Sequence, residues 1–244
     1  MAIEVQKHIR CRPGDVARCV LLPGDPARAH RIAAHFDNAR LISENREYTV
    51  LTGEVGGVPV TVCSTGIGGP STAIAIEELA KVGADTFIRI GSAGARRDDI
   101  PIGGAVIVQA AVRAGGTARV YLPDIYPAVA SFDITCALVQ GAKNLGLTPI
   151  VANSLSRDAY YQQDENLNDA LREIHDLAVS EMETDTLFVV GAKRNLRTGA
   201  VVGTDSNRYL AVQPSLAEKE TLYMQAEQNT IAIALEAIKA LMKA

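Results

Sequence analysis

Short runs of apolar and β-branched residues alternate with longer helical patterns along the whole chain, and this alternation limits the fold more than any other feature. RCVLLPG (18–24) reads as a strand ending in a turn, and PARAHRIAAHF (26–36) as a helix. REYTVLTGEVGGVPVTVCSTG (46–66) reads as a hairpin turning at Gly56 and Gly57. STAIAIEELAKVG (71–83) is helical, with Gly83 as its stop. DTFIRIGSAGA (85–95) is a strand entering a glycine-rich loop, and GGAVIVQAAV (103–112) is another strand. PAVASFDITCALVQGAKNLG (127–146) and EMETDTLFVVGAKRN (181–195) are predicted helices. TGAVVGTDSN (198–207) is a strand, and the last 30 residues form one long amphipathic helix. The polar stretch 153–176 has no clear period. The pattern predicts a single α/β domain over residues 1–244, with a central sheet flanked by helices. Ligands of such sheets gather at strand ends and the loops that follow them.

Charge excludes some functions. The 24 basic and 28 acidic side chains leave a formal charge of −4, without a long basic run, so nucleic acid and membrane surfaces gain no support as partners. No run of 18 apolar residues suggests a membrane span. The polar start MAIEVQKHIRCRPGD has no signal-peptide core, and a cytoplasmic location is expected. Cys11, Cys19, Cys63 and Cys136 form no C-x-x-C pair and have no histidine at zinc-ligand spacing, so no metal centre is predicted from them.

Two stretches point to an anion. In LLPGDPAR (21–28), Asp25 and Pro26 open a helix, Gly24 leaves its amide unobstructed, and Arg28 falls in the first turn. Free amides beside an arginine suit a phosphate. A capped helix start with a surface arginine is the plainer alternative. In FIRIGSAGA (87–95), Arg89 stands inside an apolar strand and must find a carboxylate or a bound anion. STGIGGPS (64–71) fails the dinucleotide fingerprint, because Ser71 stands where the third glycine is needed.

The segments PGDPAR, NREY, CSTGIGGPSTAIAIEEL, IRIGSAG and EMET stand in the order and spacing of one family. The chain resembles the nucleoside phosphorylases of the uridine and hexameric purine branch, closely over residues 18–112 and again from 181. The resemblance implies a mixed, partly barrel-like sheet and a homohexamer built as a trimer of dimers. It implies a phosphate cradle of Gly24, Arg28, Arg89 and Ser92, completed by Arg46 of a neighbouring subunit. Glu183 would accept the ribose hydroxyls, Met182 would contact the sugar, and Glu181 would belong to the same wall. An ionised carboxylate suits a diol because it only accepts. A helix-capping role for these acids is the alternative. His8 matches a histidine that reaches the sugar of the adjacent subunit. Inorganic phosphate is the implied co-substrate and no organic cofactor is needed. A potassium ion is implied at Glu47, Ile67 and Ser71.

The base is less clearly written. Ala93, Gly94 and the aromatic Tyr160 match positions around the base. The Gln-x-Arg pair of uridine-cleaving members is replaced by Asp164 and Asn166, with Gln162 and Gln163 nearby. Asp205, after Thr204, matches the aspartate that protonates a departing purine, which requires a raised pKa. At the spacing of the arginine that assists it stand Glu218 and Lys219, and Arg208 is not matched. Asp205 opening a turn through Ser206 and Asn207 is the alternative. These matches favour phosphorolysis of a purine nucleoside, with Arg28, Arg89 and Asp205 as the catalytic set, and uridine phosphorolysis as the rival. A hydrolytic nucleosidase would leave Arg28 and Arg89 without a task. A non-catalytic nucleoside-binding protein is the remaining alternative.

Overall fold

The structure, a computed structural model, describes residues 5–161, 164–171 and 173–241. The chain opens with β1 (Cys19–Pro23), α1 (Pro26–Ala33), β2 (Asp37–Asn45), β3 (Tyr48–Val55) and β4 (Val58–Cys63). Next come α2 (Gly69–Lys81), β5 (Thr86–Ala95), β6 (Ala105–Arg113), the short α3 (Thr117–Tyr121) and β7 (Ala128–Val129). They are followed by α4 (Phe132–Asn144), β8 (Ile150–Ser156), α5 (Glu165–Ala170) and β9 (Leu177–Glu181). The last elements are α6 (Thr184–Arg194), β10 (Arg197–Asn207) and α7 (Leu216–Leu241).

One mixed sheet runs β10-β6-β8-β9-β5-β1-β4-β3-β2, and β10 also pairs with β5. That second pairing closes β10, β6, β8, β9 and β5 into a five-stranded barrel, with β1, β4, β3 and β2 as an extension. β5 is the shared strand. It pairs in parallel with β1 and β10, and antiparallel with β9 at its far end.

The strands obey the period of two that a sheet covered on both faces requires. Val20, Leu22, Phe87, Val106, Val108, Ala200 and Val202 pack with Ile76 and Leu79 of α2 and Leu187 and Phe188 of α6. Their neighbours Leu21, Ile88, Ile90, Ile107 and Val201 pack on the other face, with Ile32 of α1, Ile134 of α4 and Ile231 of α7. By this alternation Arg89 shares the face of Phe87, toward α6.

The hairpin turns where expected, with Gly56 and Gly57 both at positive φ, the conformation of a tight two-residue turn. Other expectations need correction. Strand β2 had no signal, because most of its residues are exposed and polar and give no alternation. The second half of β8 lies within the stretch that had no clear period, and β9 fills the gap between that stretch and EMET, to which no element was assigned. The helix expected from residue 127 starts at Phe132, because Ala128 and Val129 first pair with β6. EMET does not open a helix throughout. Glu181 ends β9, and α6 begins at Thr184 with Glu183 at its cap position.

Helix α4 lies so close to β10 that a Cβ on Gly199 would come within 2.3 Å of the Ile134 Cγ2 methyl. Gly199→Ala is therefore expected to lower the unfolding free energy by about 1–3 kcal/mol in a denaturant titration, the cost of overpacking. An unchanged midpoint would show that this contact relaxes freely.

Candidate active site

A cavity of about 860 Å³ opens where β1, β5, β9 and β10 end, and Gly24, Arg28, Arg89, Ser92, Glu183 and Asp205 all line it. Arg89 is only 5 % exposed. Its guanidinium folds back over Gly91, two residues on and on the same strand face, where any Cβ would sit 2.8 Å from Nη2. Glycine at that position therefore lets the arginine lie along its own strand. Arg89 Nη2 donates to Glu183, and Nε lies 3.4 Å from Glu181 Oε2 without a hydrogen-bond partner among the described residues. An orphaned buried donor of this kind is costly unless a ligand takes it.

Arg28 enters the cavity from α1. Its Nε donates to Glu227 of α7 at 2.8 Å, Nη1 to the Ile90 carbonyl at 3.1 Å, and Nη2 to the Tyr223 hydroxyl. Burial raises the Glu227 carboxyl, but hydrogen bonds from Arg31 and Arg28 more than offset this and hold it below the usual value. Both arginines thus have carboxylate partners of their own, and both still face one open space. The free amides expected at the start of α1 are not free: Asp25 accepts from the N–H groups of Ala27 and Arg28 at 2.9 and 3.1 Å.

The two glutamates of EMET are distinct. Glu181 Oε2 accepts from the N–H groups of Glu183 and Thr184 at 2.8 and 2.9 Å, while Oε1 accepts from Ser156. It caps α6 and has its acceptors filled by the chain. Glu183 reaches across to the loop before α2, accepting from Gly68 N–H at 2.5 Å as well as from Arg89. Burial raises its carboxyl, Arg89 opposes the rise, and the charge of Glu181 adds to it. Met182 lies between the two and lines the same wall.

Asp205 owes its direction to a register shift. Thr204 pairs with Ala93 and Ser206 with Gly94, so Asp205 is the extra residue of a bulge. Bulges re-aim side chains, and this one turns the carboxylate to the cavity beside Ala93 and Gly94. Burial raises its pKa, opposed by the Ser206 hydroxyl at 2.7 Å and by Arg28. Tyr160 lines the same end.

His8 and Arg46 lie outside this cavity. His8 Nδ1 contacts Glu78 Oε1 at 2.6 Å, and its carbonyl accepts from the Asn45 amide, one residue from exposed Arg46. Asp164 caps α5 through Leu167 N–H, and neither it nor Asn166 lines the cavity. Gln162 and Gln163 lie outside the described residues. Glu218 pairs with Ser215 at the start of α7, away from the cavity lining. Three arginines that were not expected do line it: Arg96, Arg157 and Arg208. Each is the first residue beyond a strand, a position that carries no pattern of its own.

Known proteins resemble this chain over nearly its whole length. The model of the phosphorylase superfamily matches residues 18–239. The chain belongs to this family. It is 44% identical over 236 residues to a uridine phosphorylase of Thermococcus kodakarensis, covering 91% of this chain and 85% of that protein. It is 36% identical over 239 residues to a guanosine phosphorylase of Halorubrum lacusprofundi, covering 97% and 99%. Among solved structures, a uridine phosphorylase from Vibrio fischeri superposes with a TM-score of 0.90 at 33% identity, covering 98% of this chain and 99% of that one. A purine nucleoside phosphorylase from Toxoplasma gondii in complex with immucillin-H gives 0.88 at 29% identity, covering 100% and 98%.

Behind Glu181 lies Asp185, buried in α6 with Oδ2 unpartnered among the described residues. Burial, and next the charge of Glu181, push its carboxyl up from 3.8 to about 7. Between these two values the folded chain holds a proton that the unfolded chain has released, so stability falls as pH rises. The cost is absent below the lower value and complete above the upper one. Asp185→Asn removes it, by at most about 4 kcal/mol at roughly 1.4 kcal/mol per unit. Melting curves should show the variant more stable than the parent at about pH 8, with the gap closing toward about pH 5. A gap that stays constant would contradict the assignment.

Proposed function

We propose that this chain catalyses the reversible phosphorolysis of a nucleoside, with a purine as the base, giving free base and ribose or deoxyribose 1-phosphate. The observation that carries the reading is one cavity in which two buried arginines, an acceptor carboxylate and a carboxyl raised by burial face each other. Phosphate lies against Gly24, Arg28, Arg89 and Ser92, where guanidinium groups give paired, charge-assisted hydrogen bonds. Glu183 and Met182 hold the sugar, and Glu181 fixes the helix start from which they project. A phosphate oxygen attacks C1′ as the C1′–N bond breaks, and the electron pair leaves with the base. Protonated Asp205 delivers its proton to N7, beside Ala93, Gly94 and Tyr160. Catalysis comes from positioning and from charge placed ahead of need.

Charge balance favours an oligomer. Arg28 and Arg89 already face Glu227, Glu181 and Glu183, so a phosphate dianion calls for further positive charge. Exposed Arg46, at the β2–β3 turn, supplies it from a second copy, and His8 beside it reaches the same neighbouring sugar. The assembly is a homohexamer built as a trimer of dimers. Glu47, the Ile67 carbonyl and Ser71 offer oxygen ligands suited to a hard cation such as potassium. Ser71 Oγ is 3.2 Å from the Ile67 carbonyl, and a Cβ on Gly66 would touch Glu47 and sit 3.6 Å from Ser71 Oγ. Such an ion would brace the interface and take no part in bond breaking. No described helix is long and apolar enough to cross a membrane, and a cytoplasmic salvage role fits this reading.

Uridine is the second reading. It is favoured by the uridine phosphorylases among the relatives and by the extra arginines of the cavity. Turnover of inosine and uridine, each with and without phosphate, separates the readings. Cleavage is expected to require phosphate, and equal rates without it would indicate a hydrolase. Asp205→Asn should lower inosine turnover about 100-fold or more, the range of general-acid catalysis. Unchanged inosine turnover would remove Asp205 from the reaction.

A further inference from the structure

The reaction above uses Arg28 and Arg89 and leaves three arginines of the cavity without a task. Arg96 follows β5, Arg157 follows β8 and Arg208 follows β10, and all three line the cavity with Tyr160 and Tyr209. Their partners are neutral. Arg96 Nη1 donates to Asn168 Oδ1 at 3.1 Å and Ser180 Oγ at 3.2 Å. Arg208 donates to the Tyr209 hydroxyl at 3.0 Å and lies 5.1 Å from that ring's centroid. The Arg157 guanidinium makes no hydrogen bond among the described residues. No described carboxylate pairs with any of the three, whereas Arg28 and Arg89 each have one.

The three cations also feel one another. Burial first, and the charge of Arg208 next, lower the Arg157 pKa from its usual value. Arg96 is lowered by burial, with Tyr209 opposing and Arg157 and Arg208 adding. Like charges gathered in a half-buried place repel unless an anion joins them. The distribution of charge is therefore lopsided: positive charge is matched at the phosphate end and unmatched beyond the sugar wall.

Guanidinium groups donate and never accept. A ligand group facing three of them must present acceptors, and gains most if it carries negative charge. On a nucleobase these acceptors are ring carbonyls. When the C1′–N bond breaks, the electron pair left on the ring spreads onto those oxygens. An exocyclic amino group in the same place would set N–H against N–H.

We infer that Arg96, Arg157 and Arg208 form an anion-accepting subsite for bases that carry ring carbonyls, oxopurines and dioxo bases of the xanthine and uracil type, and that they exclude adenine. The inference rests on the phosphorolytic reading and narrows its substrate class. Asp205 and the arginines then act on different atoms: the acid at the ring nitrogen, the cations at the carbonyl oxygens.

Calorimetric titration of the whole chain with free bases, in saturating phosphate, tests this without turnover. Xanthine should bind about 100-fold tighter than adenine, the discrimination expected of a site built for particular hydrogen bonds. Xanthine affinity should also rise from about pH 5 to about pH 8 as its ring ionises, because an opposite charge favours the anion. Arg157→Met should weaken xanthine about 10-fold or more and flatten that rise, as loss of a charge-assisted pair does. Adenine and phosphate affinity should not change. Arg96→Met gives the same readout if Arg157→Met does not fold. Adenine binding as tightly as xanthine, or xanthine binding indifferent to both substitutions, would overturn the subsite. Selection of xanthine by a protein that cleaves no nucleoside would instead overturn the phosphorolytic reading and leave the subsite standing.

Discussion

The site depends on one buried cation. Arg89 sits within an otherwise apolar strand, and a lone charge there would cost several kcal/mol. Three features of the chain make it tolerable. Gly91 clears the strand face so that the guanidinium can lie flat. β9 delivers Glu181 and α6 delivers Glu183 to the same guanidinium. The face of β5 that carries Phe87 continues as Arg89, so the apolar core gives way to the cavity along a single strand. Because Glu183 also accepts from Gly68, the same carboxylate ties the loop before α2 to the barrel. In the proposed reaction, phosphate cradle and sugar wall are thus two sides of one ion pair.

The barrel closure matters for the same reason. Parallel pairing of β10 with β5 sets Asp205 beside Ala93 and Gly94, and the bulge turns it inward. A regular ladder would have put residue 205 in step with its neighbours and facing the alternate side. The period of two that builds the core is broken on β10 at Asp205, which lines the cavity.

Much of this was legible in the sequence, for physical reasons. Arg89 was conspicuous because a charge inside an apolar strand needs a partner, and the EMET acids because they precede an apolar helix. The Gly56–Gly57 turn announced itself through its backbone preference. What stayed hidden has equally physical causes. Strand β2 is a mostly exposed strand whose polar residues give no alternation. Strand β8 runs into the polar stretch 153–176 and β9 follows directly after it, so polar neighbours masked their short apolar runs. The capping task of Glu181 depends on where β9 ends, which no spacing reveals. Arg96, Arg157 and Arg208 look like ordinary charges after strands until barrel closure brings them to one wall. The amides of α1 are taken up by Asp25, as its position at the helix cap already implied.

The central claim is that Arg89, held between Glu181 and Glu183, still has capacity to bind an oxyanion. Titration of inorganic phosphate into the assembled protein, parent and Arg89→Met, tests this most directly. The account predicts measurable binding by the parent and a loss of about 10-fold or more in the variant, the worth of a charge-assisted hydrogen bond. Equal phosphate affinity in the two proteins would mean that Arg89 is fully satisfied by its own carboxylates, and would contradict the account.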